Sequence, residues 1–552
     1  MKLLAVSRAL STHLRVLYKF YINMAGESDR KNDQGSAQGW KPSVSPWLIA
    51  ASVMLATFME VLDTSIASVT LPHIAGSVSA SNSEATWVLT SYLVSNAIVL
   101  PSSSWFGQRF GRKRFLIFCI IVFTASSFLC GAATSLGWIL IARTIQGAGG
   151  GALQPISQAI LLESFPPEKR GLAMAIFALG VVVAPVLGPT LGGWLTDQYS
   201  WRWAFYINVP VGVLAVFMIS RFIEDPPYIK SAKPGRIDAI GLGLLAVWLG
   251  ALQIILDKGQ EDDWFGAEWI RWAAVVLVIS FIAFLIRELV IKNPVVKLSV
   301  FKNRNFAFGC VIIFLLGAVI YGLVTILPLF YQTVLNYTAS AAGFAVSPRG
   351  LGAIAIMPVA AFLSSRIDNR WLIACGFSLM GATAIWMAHL TLDISQWSLT
   401  WPIILSGVGT GLVFVTLSTL AMGTLRKDEI GNASGLFNLF RNIGGSVGIS
   451  VVNTIVARHS QSHRSELAHH FNGGLWFRNA LAGIQHLTSA HAISSLAKMR
   501  AYAILQNLLD RQAVVYSYVD DLRYMALLCF LCAPVVFFVK RVKPQAGAVP
   551  AH

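Results

Sequence analysis

The sequence predicts an all-α polytopic membrane protein, with fourteen transmembrane helices arranged 6+2+6. Three observations carry that expectation. Of the 552 residues, 55% are hydrophobic and only 12% charged, against about 25% charged in soluble domains, and mean hydropathy is +0.63. Apolar runs of roughly 20 residues, long enough to cross a ~30 Å hydrocarbon core, recur along nearly the whole chain. Lys and Arg concentrate in alternate loops, as expected where every second loop faces the cytoplasm. Backbone groups in lipid must bond within their own segment, so the runs are helices.

In chain order, residues 1–45 form a cytoplasmic N-terminal segment. Residues 46–222 hold a first bundle, with spans near 47–71, 86–106, 115–133, 138–161, 172–195 and 203–222. Residues 223–290 form a linker with two further spans near 237–256 and 269–287. Residues 291–457 hold the first five helices of a second bundle, near 306–330, 341–363, 371–390, 400–422 and 434–457. A long outer loop, 458–522, precedes the last span and the cytoplasmic tail, 523–552. Within that loop, Ala480 to Leu509 reads as an extramembrane helical element.

The charge pattern fixes the count. Basic residues follow the even spans: Arg109, Arg112, Lys113 and Arg114; Lys169 and Arg170; Arg221, Lys230, Lys233 and Arg236; Arg287 to Arg304; Arg366 and Arg370; Arg426 and Lys427; and Lys540, Arg541 and Lys543 in the tail. The first, third, ninth and eleventh loops have none, and the seventh is acidic. One missed span would invert the alternation from that point, so both termini are expected in the cytoplasm. The net charge of +16 is thereby topology, and no nucleic-acid partner is expected. Six cysteines, all inside apolar runs, make neither a disulfide framework nor a zinc site.

Charged groups within spans cost about 2.5–3.5 kcal/mol each on insertion scales, so each one asks for a function. The first span carries Glu60 and Asp63 on one helical face, the fourth Arg143, the tenth Arg349, and the thirteenth Asn438 and Arg441. At ~1.5 Å per residue, Asp63 lies ~12 Å and Arg143 ~8 Å below the outer ends of their helices. The two share a level and form a candidate pair. Burial disfavours a carboxylate's charge and a neighbouring cation restores it. Such a pair serves either as a proton switch or as a static lock between helices. Glu60 is a second proton candidate or a polar wall of a wet cavity.

Gly180, Ala184, Gly188 and Gly192 recur every four residues in the fifth span, a spacing that lets helices approach closely. Pro185 and Pro189 in the same helix remove backbone donors. The stretch GVVVAPVLGPTLGG, Gly180 to Gly193, resembles the fifth-helix antiporter motif of drug exporters in the major facilitator superfamily. RTIQGAGGG from Arg143 resembles their fourth-helix motif. LDTSIASVTLPHI from Leu62, WRWAFYINVPVG from Trp201, NLFRNIGGSVG from Asn438 and the linker from Arg236 resemble the fourteen-helix drug:proton antiporters of the EmrB type. That resemblance, over residues 46 to 460 and the last helix, implies a major facilitator fold in the inner membrane. It implies efflux of small hydrophobic substrates driven by the proton gradient, without a cofactor. In Gram-negative members it also implies assembly with a periplasmic adaptor and an outer-membrane channel.

One departure stands out. The family's second-loop motif is G-x-x-x-D-R-x-G-R-K/R; here Ser104 replaces the first Gly and Gln108 the Asp, while Arg109, Gly111, Arg112 and Lys113 remain. The acidic half of that charge lock is therefore absent from the loop. The outer loop holds six of the ten histidines, among them His459 and His463 at helical spacing. With no cysteine or tight carboxylate cluster beside them, they read as a solvated surface or adaptor contact, and no metal site is expected. The basic first 24 residues read as an interfacial amphipathic helix or as sequence upstream of a start at Met24. A lipid, fatty acid or siderophore exporter of the same fold is the second reading. A membrane enzyme or sensor is disfavoured, because the chain has no nucleotide-binding loop or HExxH.

Overall fold

The computed structural model describes residues 42–541 apart from short stretches, the longest being 230–237 and most of 471–493. The basic first 24 residues, Lys230, Lys233, Arg236, Lys543, His486 and His491 lie outside the described residues, as does most of 480–493.

Every described element is helical. The first bundle comprises α1 (Pro46–Ser77), α2 (Asn82–Phe110), α3 (Arg112–Gly131), α4 (Leu136–Gly150) followed by α5 (Leu153–Ser164), α6 (Arg170–Ala178) followed by α7 (Ala184–Gln198), and α8 (Trp203–Tyr206) followed by α9 (Asn208–Phe222). The linker pair is α10 (Ala239–Lys258) and α11 (Glu268–Val290). The second bundle comprises α12 (Arg304–Thr333), α13 (Ala339–Val346) followed by α14 (Pro348–Ser364), α15 (Asn369–Met387), α16 (Gln396–Met422), α17 (Lys427–His470) and α18 (Ser494–Val535). A helix or a broken pair of helices thus overlies each expected span. Among the described residues, eleven are long and apolar enough to cross a bilayer, or twelve if one bent pair is a single span.

The breaks have local causes. Between α6 and α7, residues Leu179–Val183 form a π-helical turn. Pro185 follows it and has no N–H to return to the preceding turn. The two halves of the span meet at 40°. The small-residue face beyond this bend packs on α1: a side chain at Gly188 would overlap Ser65, and one at Gly192 would press on Ile66. At the other end of the bundle α2 stops at Gly111, whose φ of +86° suits glycine alone, and α3 begins at the next residue.

α17 and α18 differ from the expected outline. α17 runs unbroken for 44 residues and α18 for 42. Much of the outer loop is therefore the continuation of two spans, packed as an antiparallel pair and joined by Arg464–Asp510 at 2.6 Å.

The linker pair covers one seam between the bundles. α10 touches α2 and α17. Thr90 donates to Asp257, Lys258 Nζ to Thr86 Oγ1 at 2.7 Å, and Ser446 Oγ to Gln253 Oε1 at 2.9 Å. Many side chains of α11 remain exposed, Val275, Ile279, Ile282, Ile286 and Leu289 among them, as befits a lipid-facing helix. The pair is clasped at its basic end, where Arg287 grips Asp238 through three contacts of 2.7 to 2.9 Å.

That clasp gives a pH test. The Arg287 guanidinium holds the Asp238 carboxyl below the usual carboxylate range. A depressed folded-state pKa stabilises the fold above the unfolded value, about 3.9, and the contribution is lost as pH falls through the folded value. Asp238→Asn should therefore melt earlier than wild type at pH 7 and at pH 5. The difference should close only below about pH 4, as read by scanning fluorimetry of the detergent-solubilised protein.

Candidate functional site

Asp63 and Arg143 meet in the first bundle. Arg143 Nη1 donates to Asp63 Oδ2 at 2.6 Å, and both side chains are fully buried. Asp63 Oδ1 accepts from Gln146 Nε2 at 2.9 Å and from Asn208 Nδ2 at 2.7 Å. Arg143 Nη1 also donates to Gln146 Oε1 at 2.8 Å, and Nε donates to the Val88 carbonyl at 3.1 Å. The guanidinium lies 4.3 Å from the centre of the Tyr92 ring, within cation–π range. Asn208 is held in turn by Ser127 Oγ at 3.0 Å. Five helices, α1, α2, α3, α4 and α9, converge on one ion pair. Arg143 Nη2 has no hydrogen-bond partner among the described residues.

Glu60 lies one turn below Asp63, toward the boundary between the bundles. Its Oε1 accepts from Tyr92 Oη at 3.2 Å and Asn96 Nδ2 at 3.1 Å, and its Oε2 from Gln154 Nε2. The Gln154 carbonyl accepts from Arg441 Nη2, so a single amide joins the acid of one bundle to the cation of the other. Tyr92 touches both acidic sites, its ring against Arg143 and its hydroxyl on Glu60. Asn438 Nδ2 reaches Gln158 Oε1 at 2.8 Å, a second polar tie across the same boundary.

A cavity of about 90 Å³ opens there, lined by Glu60, Tyr92, Leu249, Gln253, Tyr321 and Asn442 among others. That is room for about three waters. A drug-sized ligand needs about 300–1,000 Å³, so the bundles must part to admit one. The linker helix α10 contributes Leu249 and Gln253 to the wall and is thus part of the site.

Arg349 stands apart from this group. It is buried between α14 and α16, with Nη2 on Thr410 Oγ1 at 3.3 Å and Nη1 without a partner among the described residues. The conformational residues Gly180, Pro185, Gly188 and Gly192 form the bend and seam beside α1, while Pro189 lies against Gly343 of α13, and Gly193 follows in the same helix. At the basic face, Arg109 is exposed, whereas Arg112 forms a buried ion pair with Glu163. The Lys113 amide donates to Asp225 Oδ1 at 2.9 Å. Acids near this loop thus come from the end of α5 and from the segment after α9, which loop sequence alone does not reveal.

Gln146, Asn208, Tyr92, Asn96 and Gln154 were not among the expected site residues. Gln146 and Asn208 lie inside the very motifs that drew attention to Arg143 and to the sixth span. The usable signal was a polar residue one turn from a buried charge.

The geometry defines a two-bundle membrane transporter with buried charges at its core, and the comparisons with known proteins agree. The model of the Major Facilitator Superfamily matches residues 53–449, and the chain belongs to that superfamily. It is 40% identical over 427 residues to the multidrug export protein EmrB of Haemophilus influenzae, covering 77% of this chain and 83% of that protein. It is 34% identical over 508 residues to the fatty acid resistance protein FarB of Neisseria gonorrhoeae (92% and 97%) and 32% identical over 510 residues to the colistin resistance protein EmrB of Acinetobacter baumannii (91% and 98%). Among solved structures, the human organic anion transporter MFSD10 shares the fold at TM-score 0.54 and 14% identity, covering 88% of this chain and 99% of that one. Within the superfamily the chain is of the EmrB type, a multi-pass inner-membrane transporter and not an enzyme.

Removing one member of a buried ion pair leaves the other uncompensated, typically at a cost of about 3–5 kcal/mol. Arg143→Ala should therefore lower the melting temperature of the purified protein far more than Arg109→Ala, whose side chain is solvated. Equal shifts in the two variants would show that the Asp63–Arg143 pair does not hold the bundle.

Proposed function

We propose that the protein is a proton-coupled exporter of small hydrophobic compounds, working as a drug:H+ antiporter in the inner membrane with both termini in the cytoplasm. The single observation that supports this reading most is the Asp63–Arg143 pair. It is a carboxylate sealed from solvent, held by one cation and two amides that a proton on Asp63 would partly release. Such a site has two arrangements, and a proton chooses between them. Glu60 faces the interfacial cavity instead and serves substrate contact, with Arg441 answering its charge through Gln154. The basic loops argue for cytoplasmic termini. The energy source is the proton gradient, with no cofactor.

The long helical pair α17–α18 is the large outer element. We assign it to docking a periplasmic adaptor, which in turn joins an outer-membrane channel to complete a tripartite pump. The similarity to FarB over nearly the whole chain favours one second reading, in which fatty acids are the cargo.

Coupling is tested by proton release or uptake on adding substrate to purified protein. Asp63→Asn should keep the side-chain volume and lose the exchange, together with uncoupler-sensitive efflux in cells. Glu60→Gln should do less, weakening cationic substrates first. Normal exchange in Asp63→Asn would move the coupling role to another group. A compound panel that includes fatty acids, run with and without an uncoupler, separates the two cargo readings.

Docking has its own readout. Deleting residues 473–509 should spare membrane insertion and purified-protein proton exchange yet abolish resistance in cells that carry the adaptor. Full resistance in that variant would remove the docking role.

A further inference from the structure

Three side chains part-way along the α17–α18 pair share one point in space. His459 and His463 are four residues apart on α17, so they stack on one face of the helix. Asp520 faces them from α18. Its Oδ2 lies 2.9 Å from His459 Nδ1 and 2.8 Å from His463 Nε2. The three ligand atoms all fall within 4.8 Å of one another. The carboxylate that the sequence did not place near these histidines is thus brought to them from 57 residues away by the helix pairing.

We propose that His459, His463 and Asp520 form a binding site for a divalent transition metal, zinc foremost, that staples α17 to α18 where the pair leaves the membrane. Two imidazoles and one carboxylate suit zinc in donor type and number, with the fourth position left to water. Hard cations such as magnesium and calcium prefer all-oxygen sets. Tetrahedral ligands at about 2.0–2.2 Å from zinc stand roughly 3.4 Å apart. The two contacts to Asp520 therefore need to open by only about half an ångström on metal entry, while the two imidazole nitrogens, within 4.8 Å of each other, settle to the same spacing. The side chains retain the freedom for that, being 34%, 26% and 21% exposed for His459, His463 and Asp520.

The surroundings fit a built site. Ligating histidines are commonly oriented by a carboxylate on their other ring nitrogen. His463 Nδ1 has Glu466 Oε2 at 3.7 Å. The Tyr524 and Tyr516 rings pack on His459 and His463, with centroids 5.8 and 5.6 Å apart. Arg523 Nη1 stands 3.6 Å from the other Asp520 oxygen, Oδ1. It leaves Oδ2 to the metal while opposing its charge, so a moderate affinity is expected rather than that of a structural zinc finger.

The position gives the site a role. At ~1.5 Å per residue, Asp520 lies about 23 Å along α18 from its end at Val535, and the 3-10 turn Val536–Phe538 adds about 6 Å before Lys540, whose amide bonds Asn305 at the basic face. That distance is one hydrocarbon core, so the site marks the outer membrane boundary. Beyond it the two helices continue without a bilayer around them, and a metal would fix their spacing there. This inference stands whether or not the helix pair docks an adaptor.

The test is zinc titration of the tag-free, full-length protein in detergent, followed by calorimetry and by melting temperature. Wild type should bind one equivalent and melt several degrees higher with zinc, and magnesium should do neither. His463→Ala and the volume-conserving Asp520→Asn should each weaken zinc binding by more than about tenfold and abolish the thermal gain. His469→Ala should change nothing. A variant that fails to fold is replaced by His459→Gln, which keeps side-chain bulk. No zinc binding by wild type, or equal binding by wild type and the ligand variants, overturns the proposal.

Discussion

Everything in the first bundle is arranged around the cost of holding charge inside a membrane protein. Asp63 and Arg143 are both fully buried. Breaking such a pair leaves a lone charge, while keeping it requires that nearly every remaining donor and acceptor be met. The surrounding helices comply. Gln146 and Asn208 cap the second carboxylate oxygen, the Val88 carbonyl takes a guanidinium N–H, and Tyr92 covers the guanidinium face. These groups come from different spans, so the ion pair can be satisfied only when the spans are docked. Burial of charge thus specifies the bundle as well as straining it.

The bundles divide the charges unequally. Of the groups at this boundary, the first contributes both carboxylates, Glu60 and Asp63. The second holds Arg441, which reaches Glu60 through Gln154, and Arg349, whose described contact is one threonine hydroxyl. The boundary between bundles is therefore an acid–amide–base relay and not a direct salt bridge. A relay through an amide is easier to break than a direct buried pair, because each charge keeps other partners when the bundles part. Glu60 retains Tyr92 and Asn96, and Arg441 retains Asn442. That is the arrangement expected of a seam that opens, whereas the Asp63 pair lies wholly within one body.

The fold was legible because its causes are local. Apolar run length and basic loops need no partner to be read, and a helix lies over each of the fourteen segments they mark. Asp63 and Arg143 were legible for the same reason, since isolated charges in apolar runs point to each other by depth. What stayed hidden depends on tertiary approach. Glu163 answers Arg112 across 51 residues, and Asp520 meets His463 across 57. In the sequence Tyr92 is one aromatic among many, and only folding sets its hydroxyl on Glu60. The length of α17 and α18 was also hidden, because charged and histidine-rich sequence past residue 458 reads as loop while the helix continues through it.

Motion enters at the bend between α6 and α7. The π turn at Leu179–Val183 and the prolines that follow leave backbone carbonyls without their usual partners, so this span resists bending less than its neighbours do. Its bend lies beside α1, the helix that carries both acids: Gly180 packs on Met54 and Phe58, and Gly188 on Ser65. Ser65 Oγ donates to the Pro185 carbonyl at 2.9 Å, the residue that interrupts the helix. A shift of α1 on protonation of Asp63 would therefore act on the weakest point of the adjoining span. The same span also packs on the second bundle, where Gly343 of α13 lies against Pro189 and Thr190 of α7. One softened helix thus touches the helix that carries both acids on one side and the opposite bundle on the other. The small-residue and proline pattern thus ties α1 to the second bundle, although none of its residues carries a charge.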